Sequence, residues 1–202
     1  YYDYGVALSF WNTNRHLAYE LTPFSQTILM DTDLMVNTGS IVNAWDGRGL
    51  RVSRSAYPAD GSVFGPDVKW LSEKTLLPMY WATVVCFDKS KVSEEFFKRW
   101  KHVANHYRTY ANIFGFPKGP FRNDFAVSVA LEIMKGNSQS DFFDLPYSIP
   151  TLQPGSTLQS LDPMIAFVPC PDQLDEFGIM PIVTDAHVMN KKSILECPPS
   201  TT

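Results

Sequence analysis

Thr27-Ile28-Leu29-Met30-Asp31-Thr32-Asp33-Leu34-Met35-Val36 sets two carboxylates at the carboxyl edge of a short apolar run. Such a run reads as a buried strand, and the carboxyl edge of its strands is where an open α/β sheet gathers ligand chemistry. In an extended backbone residues two apart project to the same side, so Asp31 and Asp33 are expected to face one cation together. A bare Asp-x-Asp also arises by chance, as a strand end whose aspartates cap neighbouring amides. The apolar flanks weigh against that reading, because two close acids between buried segments repel each other and lose hydration unless a positive charge joins them. The stretch therefore predicts a divalent-metal site for a diphosphate on an α/β fold.

Outward from this stretch, Asn12-Thr13-Asn14 reads as the cap of a helix over Arg15–Leu21, stopped by Thr22-Pro23. Ser40 to Trp45 reads as a short helix ended by the turn residues Asp46-Gly47-Arg48-Gly49, and Arg51 to Ala56 as a strand. Pro66-Asp67 opens a predicted helix through Lys74, and Tyr80 to Phe87 is the β-branched and aromatic run of a central strand. From Ser93, the spacing of Phe96, Phe97, Trp100, Val103, Ala104, Tyr107 and Tyr110 predicts one long amphipathic helix, its aromatic stripe facing the core. Asp124 to Lys135 repeats that spacing, with Asn123 or Asp124 as its N-cap and Gly136 as its C-cap. Further on lie the short apolar runs Ile165–Val168 and Gly178–Val183. These elements predict one α/β domain over residues 1–196, a single mixed but mostly parallel, Rossmann-like sheet flanked by helices, with residues 197–202 as a loose tail.

A third ligand is expected at His187, just after the apolar Ile182-Val183, giving an oxygen, oxygen, nitrogen set with Asp31 and Asp33. Carboxylates suit magnesium or manganese, and a single imidazole tilts the choice toward manganese. Lys191 and Lys192 follow within reach of phosphate oxygens near such an ion, or form an ordinary solvated pair. Asn123 and Asp124 offer an amide and a carboxylate to sugar hydroxyls besides their capping role. Arg15 reads either as a contact for a donor phosphate or as a partner of Glu20 or solvent.

With 202 residues, 45% of them hydrophobic, the chain is long enough to bury a sizeable core. Its 17 basic and 21 acidic residues leave a net charge of -4, which argues against a broad electrostatic grip on nucleic acid or anionic membrane. Cys86, Cys170 and Cys197 lack Cys-x-x-Cys spacing, so neither a disulfide framework nor a zinc ribbon is indicated, and a reducing interior fits best. No apolar run approaches ~20 residues and no signal peptide opens the chain, so a soluble cytoplasmic protein without a membrane span is expected. The chain begins at Tyr1 rather than Met, and further sequence upstream is expected.

Residues 14 to 33, Asn-Arg-His-Leu-Ala-Tyr-Glu-Leu-Thr-Pro-Phe-Ser-Gln-Thr-Ile-Leu-Met-Asp-Thr-Asp, resemble the helix, loop, strand and Asp-x-Asp of GT-A-fold glycosyltransferases. Family 8 and related phage glycosyltransferases are similar in the order of their motifs. The resemblance aligns Arg15 with an upstream arginine, Arg122-Asn123-Asp124 with a later Asp-Gln-Asp-like element, and His187 with Lys191 or Lys192 with a carboxyl-terminal His and Lys. It implies manganese or magnesium as cofactor and a nucleotide-diphosphate sugar as donor. It also implies transfer with retained anomeric configuration, and a host cytoplasm if the chain is viral. The acceptor stays open among a glycan, a protein and a modified DNA base. Tyr80-Trp81-Ala82-Thr83 departs from the family's Asn-x-Gly element, and the family's opening βαβ unit for the nucleotide base is expected either upstream of Tyr1 or to be lacking.

Two other readings share the acid pair. A GT-A module without catalysis that binds a sugar or a protein fits the missing amino-terminal unit and the altered Tyr80 region. A nucleotidyltransferase uses the same metal logic on a diphosphate. Phosphatases of the haloacid-dehalogenase type also follow a strand with Asp-x-Asp, but want Thr or Val where Met35 stands and a later Gly-Asp-x-x-x-Asp that this chain lacks.

Overall fold

The computed structural model describes residues 12–59, 70–72, 77–116, 119–136, 143–161, 164–168 and 179–196. After a 3-10 turn at Arg15–Leu17 the order is α1 (Ala18–Leu21), β1 (Gln26–Met30), β2 (Leu34–Met35), α2 (Ser40–Asn43), β3 (Arg51–Ser53), β4 (Ala56–Pro58), β5 (Trp70–Ser72) and β6 (Leu77–Pro78). There follow β7 (Trp81–Asp88), α3 (Lys91–Asn105), α4 (Tyr107–Phe114), α5 (Asn123–Lys135), β8 (Ile149–Leu152), β9 (Thr157–Leu161), β10 (Met164–Val168), β11 (Met180–Pro181), β12 (Ala186–Val188) and α6 (Lys191–Glu196). The chain divides into two compact units: Tyr1–Met30 with Trp45–Arg54 and Asp67–Leu145, and Asp31–Ala44 with Ser55–Pro66 and Pro146–Thr202.

In the first unit β7 is the central strand, flanked by β1 and β3 and antiparallel to both. Six consecutive residues of β7, Ala82 to Phe87, are buried, as its β-branched and aromatic composition requires. Its core joins Val85 and Phe87 to Phe96, Phe97 and Trp100 of α3 and to the apolar side of α5. Each large side chain withdrawn from water contributes ~1.5–3 kcal/mol. Phe87, Phe97 and Trp100 stack in tilted and edge-on pairs with centroids 4.6 and 5.6 Å apart. Ser90 caps α3 by accepting the Ser93 N–H, and Gly115, at φ 67°, closes α4 in the left-handed conformation that spares a Cβ penalty. Gly136, at φ 59°, caps α5 as the sequence predicts. Tyr80 donates to Asp144 and accepts from Lys135, while Arg54 pairs with Asp144 at 2.9 Å. Burial, then the hydrogen bond to the Asp144 carboxylate, pushes the Tyr80 hydroxyl pKa up, which keeps it a neutral donor.

In the second unit β2, β12, β8 and β4 form a four-stranded sheet, and β11, β10 and β9 an antiparallel one. Its core gathers Leu152, Phe167, Ile182, Ala186 and Val188.

The mixed α/β class is as expected, but the single mostly parallel sheet is not what the described residues form. They build four small sheets, and parallel pairing between strands occurs where β8 meets β4 and β12, beside one isolated parallel bridge between Val52 and Asp144. The apolar run of β7 is buried, whereas β1, expected as a buried strand, lies at the sheet edge with no residue fully buried; strand direction comes from connections, which here bring β1 and β3 back antiparallel onto β7. The predicted strand over Arg51 to Ala56 is two strands in different sheets. They part where Arg54 turns to Asp144 and Ser55 accepts the Ile149 N–H. The predicted long helix is broken at His106 (φ -114°, ψ 26°), whose N–H is shared between the His102 and Val103 carbonyls. Helical pairing is also absent at Trp70–Ser72, which instead lie antiparallel to Leu77–Pro78; the rest of the predicted Pro66–Lys74 helix falls outside the described residues, as does the tail 197–202. Among the described residues no helix is long and apolar enough to cross a membrane.

Candidate metal centre

Asp31 follows the last residue of β1, as the sequence predicts, but the two acids are not displayed by an extended strand. Residues 31–33 form a turn closed by the Leu34 N–H on the Asp31 carbonyl at 3.1 Å. The chain then enters β2, which lies antiparallel to β12 with Leu34 opposite His187. The Asp33 carbonyl accepts the Val188 N–H at 2.8 Å, locking that register. Strand alternation does the rest: Ala186 and Val188 enter the apolar core, so His187 projects from the other face.

Asp31, Asp33 and His187 each present one ligand atom, and these atoms all lie within 4.8 Å of one another. Opposite ligands of a small divalent ion stand ~4.2 Å apart, so side-chain adjustments of a few tenths of an ångström bring the set into range. Among the described residues this is the only such group of three. Asp33 is buried, and its Oδ1 finds no hydrogen-bond partner among the described residues. His187 Nε2 approaches that oxygen at 3.4 Å. Lys191 Nζ stands 3.2 Å from Oδ2. Burial works to raise the Asp33 pKa, but the neighbouring His187 and Lys191 outweigh it and hold the carboxyl at about 2. The donor set and the unsatisfied buried oxygen fit a hard or borderline divalent cation.

Asp185, which the sequence reading passes over, fastens the two ligand-bearing segments. Its Oδ1 accepts the N–H groups of Asn37 at 2.8 Å, Thr38 at 2.7 Å and Gly39 at 3.0 Å, and its Oδ2 that of Ile41 at 2.9 Å. Burial alone would raise its pKa, but these four donors draw it below the ordinary carboxylate value. One carboxylate thus satisfies amides that α2 leaves without helical partners. The connection spans 148 residues of sequence, so no local signal announces it.

The remaining expected site residues are engaged elsewhere. Lys192 pairs with Glu196 at 3.4 Å, along α6. Arg15, Asn123 and Asp124 belong to the first unit. Arg15 is buried, and Glu20, its suggested partner, lies 3.5 Å from Lys101. Neither Asn123 nor Asp124 is the N-cap of α5; Arg122 occupies that position. Asp124 Oδ1 accepts the Ala82 N–H and Oδ2 pairs with Arg122, both at 2.8 Å, which ties α5 to β7. Asn123 donates to the Asn12 carbonyl at 2.9 Å.

No protein-family model, curated protein or solved structure matches this chain.

Proposed function

We propose that this chain is a divalent-metal-dependent glycosyltransferase of GT-A type, which moves a sugar from a nucleotide-diphosphate donor to an acceptor. The observation that carries the proposal is the buried oxygen of Asp33, without a hydrogen-bond partner among the described residues, inside a set completed by Asp31 and His187. Those residues would hold manganese or magnesium, with the imidazole favouring manganese. A bound ion neutralises a diphosphate leaving group as charge develops on it. Lys191, beside Asp33 on an exposed stem, supplies an ammonium for diphosphate oxygens, and Lys192 adds a second positive charge on α6. His187 would offer an imidazole nitrogen to the ion, its position in the strand set by the β2 and β12 register.

The resemblance to family 8 supports retention of configuration, a cytoplasmic setting, and roles for Arg15 at a donor phosphate and for Asn123 and Asp124 at sugar hydroxyls. The structural bonds of Asn123 and Asp124 do not require those roles. The small, largely antiparallel sheets are a departure from that family's pattern.

The test is turnover of a panel of sugar nucleotides by the full chain, with and without manganese. Manganese-dependent release of the nucleoside diphosphate supports the transferase. Manganese-dependent donor binding without turnover marks a GT-A module that has lost catalysis, and hydrolysis of a generic phosphate ester instead marks a phosphatase.

A further inference from the structure

We propose that Lys191 is the resident counter-ion of Asp33 and competes with a divalent cation for this carboxylate, so that the lysine sets how tightly the site holds metal. This rests on the metal-binding reading above. The two oxygens of one buried carboxylate each face a base, His187 at 3.4 Å from Oδ1 and Lys191 at 3.2 Å from Oδ2. Of these partners the lysine is the one built to move. The Asp33 backbone is fixed by the Val188 N–H, and its side chain is only 8% exposed. His187 sits within β12. The Lys191 backbone is also held, its N–H on the Met189 carbonyl at 3.1 Å and the adjoining Asn190 amide on the Ser156 carbonyl at 2.9 Å. Its side chain, by contrast, is 68% exposed, so the ammonium swings on a four-carbon stem with water to receive it.

Electrostatics makes the two occupants of Asp33 antagonists. An ammonium and a divalent ion on the same carboxylate repel at short range, in a partly buried place where screening is weak. Entry of the ion therefore releases Lys191, and the metal affinity observed is the intrinsic one reduced by the fraction of Asp33 held by the lysine. Once released, the ammonium is free for an anion, which links cation and anion binding in the favourable sense. Lys98 provides a comparison: it carries the same charge and pairs with Glu94 on α3 rather than with a ligand of the set.

The test is titration of the full chain with manganese alone, read by loss of the free aquo-manganese paramagnetic resonance signal. Lys191→Met is expected to bind manganese about three- to tenfold more tightly than the parent, the range set by the modest strength of half-exposed ion pairs. Lys98→Met, which changes net charge equally, is expected to stay within about twofold, because Lys98 is an exposed partner of Glu94 and holds no ligand of the set. Lys191→Arg, which keeps a cation, is expected to restore weak binding. Unchanged or weaker manganese binding by Lys191→Met, in a parent whose binding is lost with Asp33→Asn, overturns the competition and leaves the metal site standing. Absence of manganese binding in both parent and Lys191→Met overturns both. Lys191 is exposed, and circular dichroism of each variant checks its fold.

Discussion

Replacing Asp185 by Asn is the sharpest probe of how the two ligand-bearing segments are held. The carboxylate takes three N–H groups on Oδ1 and one on Oδ2, at 2.7 to 3.0 Å. An asparagine keeps one acceptor oxygen, which retains the Asn37, Thr38 and Gly39 donors without the help of a full negative charge. Its amide nitrogen then meets the Ile41 N–H, donor against donor, at a position that is fully buried. A buried donor left unsatisfied costs ~1–3 kcal/mol, and a bond to a charged group exceeds a neutral one by ~1 kcal/mol. For one orphan and three weakened bonds, discounted for the shared oxygen, the expected loss is about 3–5 kcal/mol in the second unit. Hydrogen exchange followed by mass spectrometry is the assay, because it reads residues 34–44 separately from the first unit. Protection over that peptide is expected to fall by at least about a hundredfold, ~2.7 kcal/mol. Unaltered exchange at residues 37–41 would refute the reasoning, since it would show that the amides hold without the carboxylate.

Other expectations follow from single contacts. Asp33→Asn is expected to abolish manganese-dependent binding of a nucleotide sugar while the circular dichroism spectrum is unchanged; equal donor affinity in calorimetry would remove Asp33 from the site. Asp88 takes the Gly49 N–H at 2.8 Å and the Ser93 hydroxyl at 3.1 Å. Burial opposes ionisation there, but these donors and Ser90 lower its pKa below the ordinary 3.8. A depressed folded-state pKa gives stability that is present above the unfolded value and lost as pH falls through the folded one. Unfolding of the first unit should thus become easier below about pH 4, and Asp88→Asn should flatten that slope; an identical slope in urea titrations would contradict it. Trp100→Ala empties a fully buried indole site among Phe96 and Phe97 and should cost about 3–5 kcal/mol, measured by urea unfolding.

The sequence spoke clearly where physics is local. The β-branched run of β7 and Gly136 after α5 each became the element their spacing predicts, and the aromatic stripe did so as far as Asn105, where the predicted single helix ends. The meeting of Asp31, Asp33 and His187 was also foreseeable, because acids and an imidazole at the edges of apolar runs are costly unless they share a purpose. What stayed hidden depends on long-range choices. Nothing near Thr184 or Ala186 reveals that Asp185 is a cap for a helix 144 residues away. The expected same-side display of Asp31 and Asp33 along a strand is replaced by a turn, since the Leu34 N–H is better satisfied at once by the Asp31 carbonyl. Likewise Asp124 looks like a cap or a sugar ligand in sequence, and only the fold shows the Ala82 amide waiting for it.

The interleaving of the two units has a consequence for the newborn chain. Every segment of the first unit has left the ribosome once Leu145 emerges, whereas Asp31–Ala44 and Ser55–Pro66 must wait for Pro146–Thr202. During that interval α2 lacks the carboxylate of Asp185, β2 lacks β12, and the paired acids stand without their imidazole. Translation order therefore makes the candidate centre mature after the first unit, exposed to chaperones and proteases until β12 arrives.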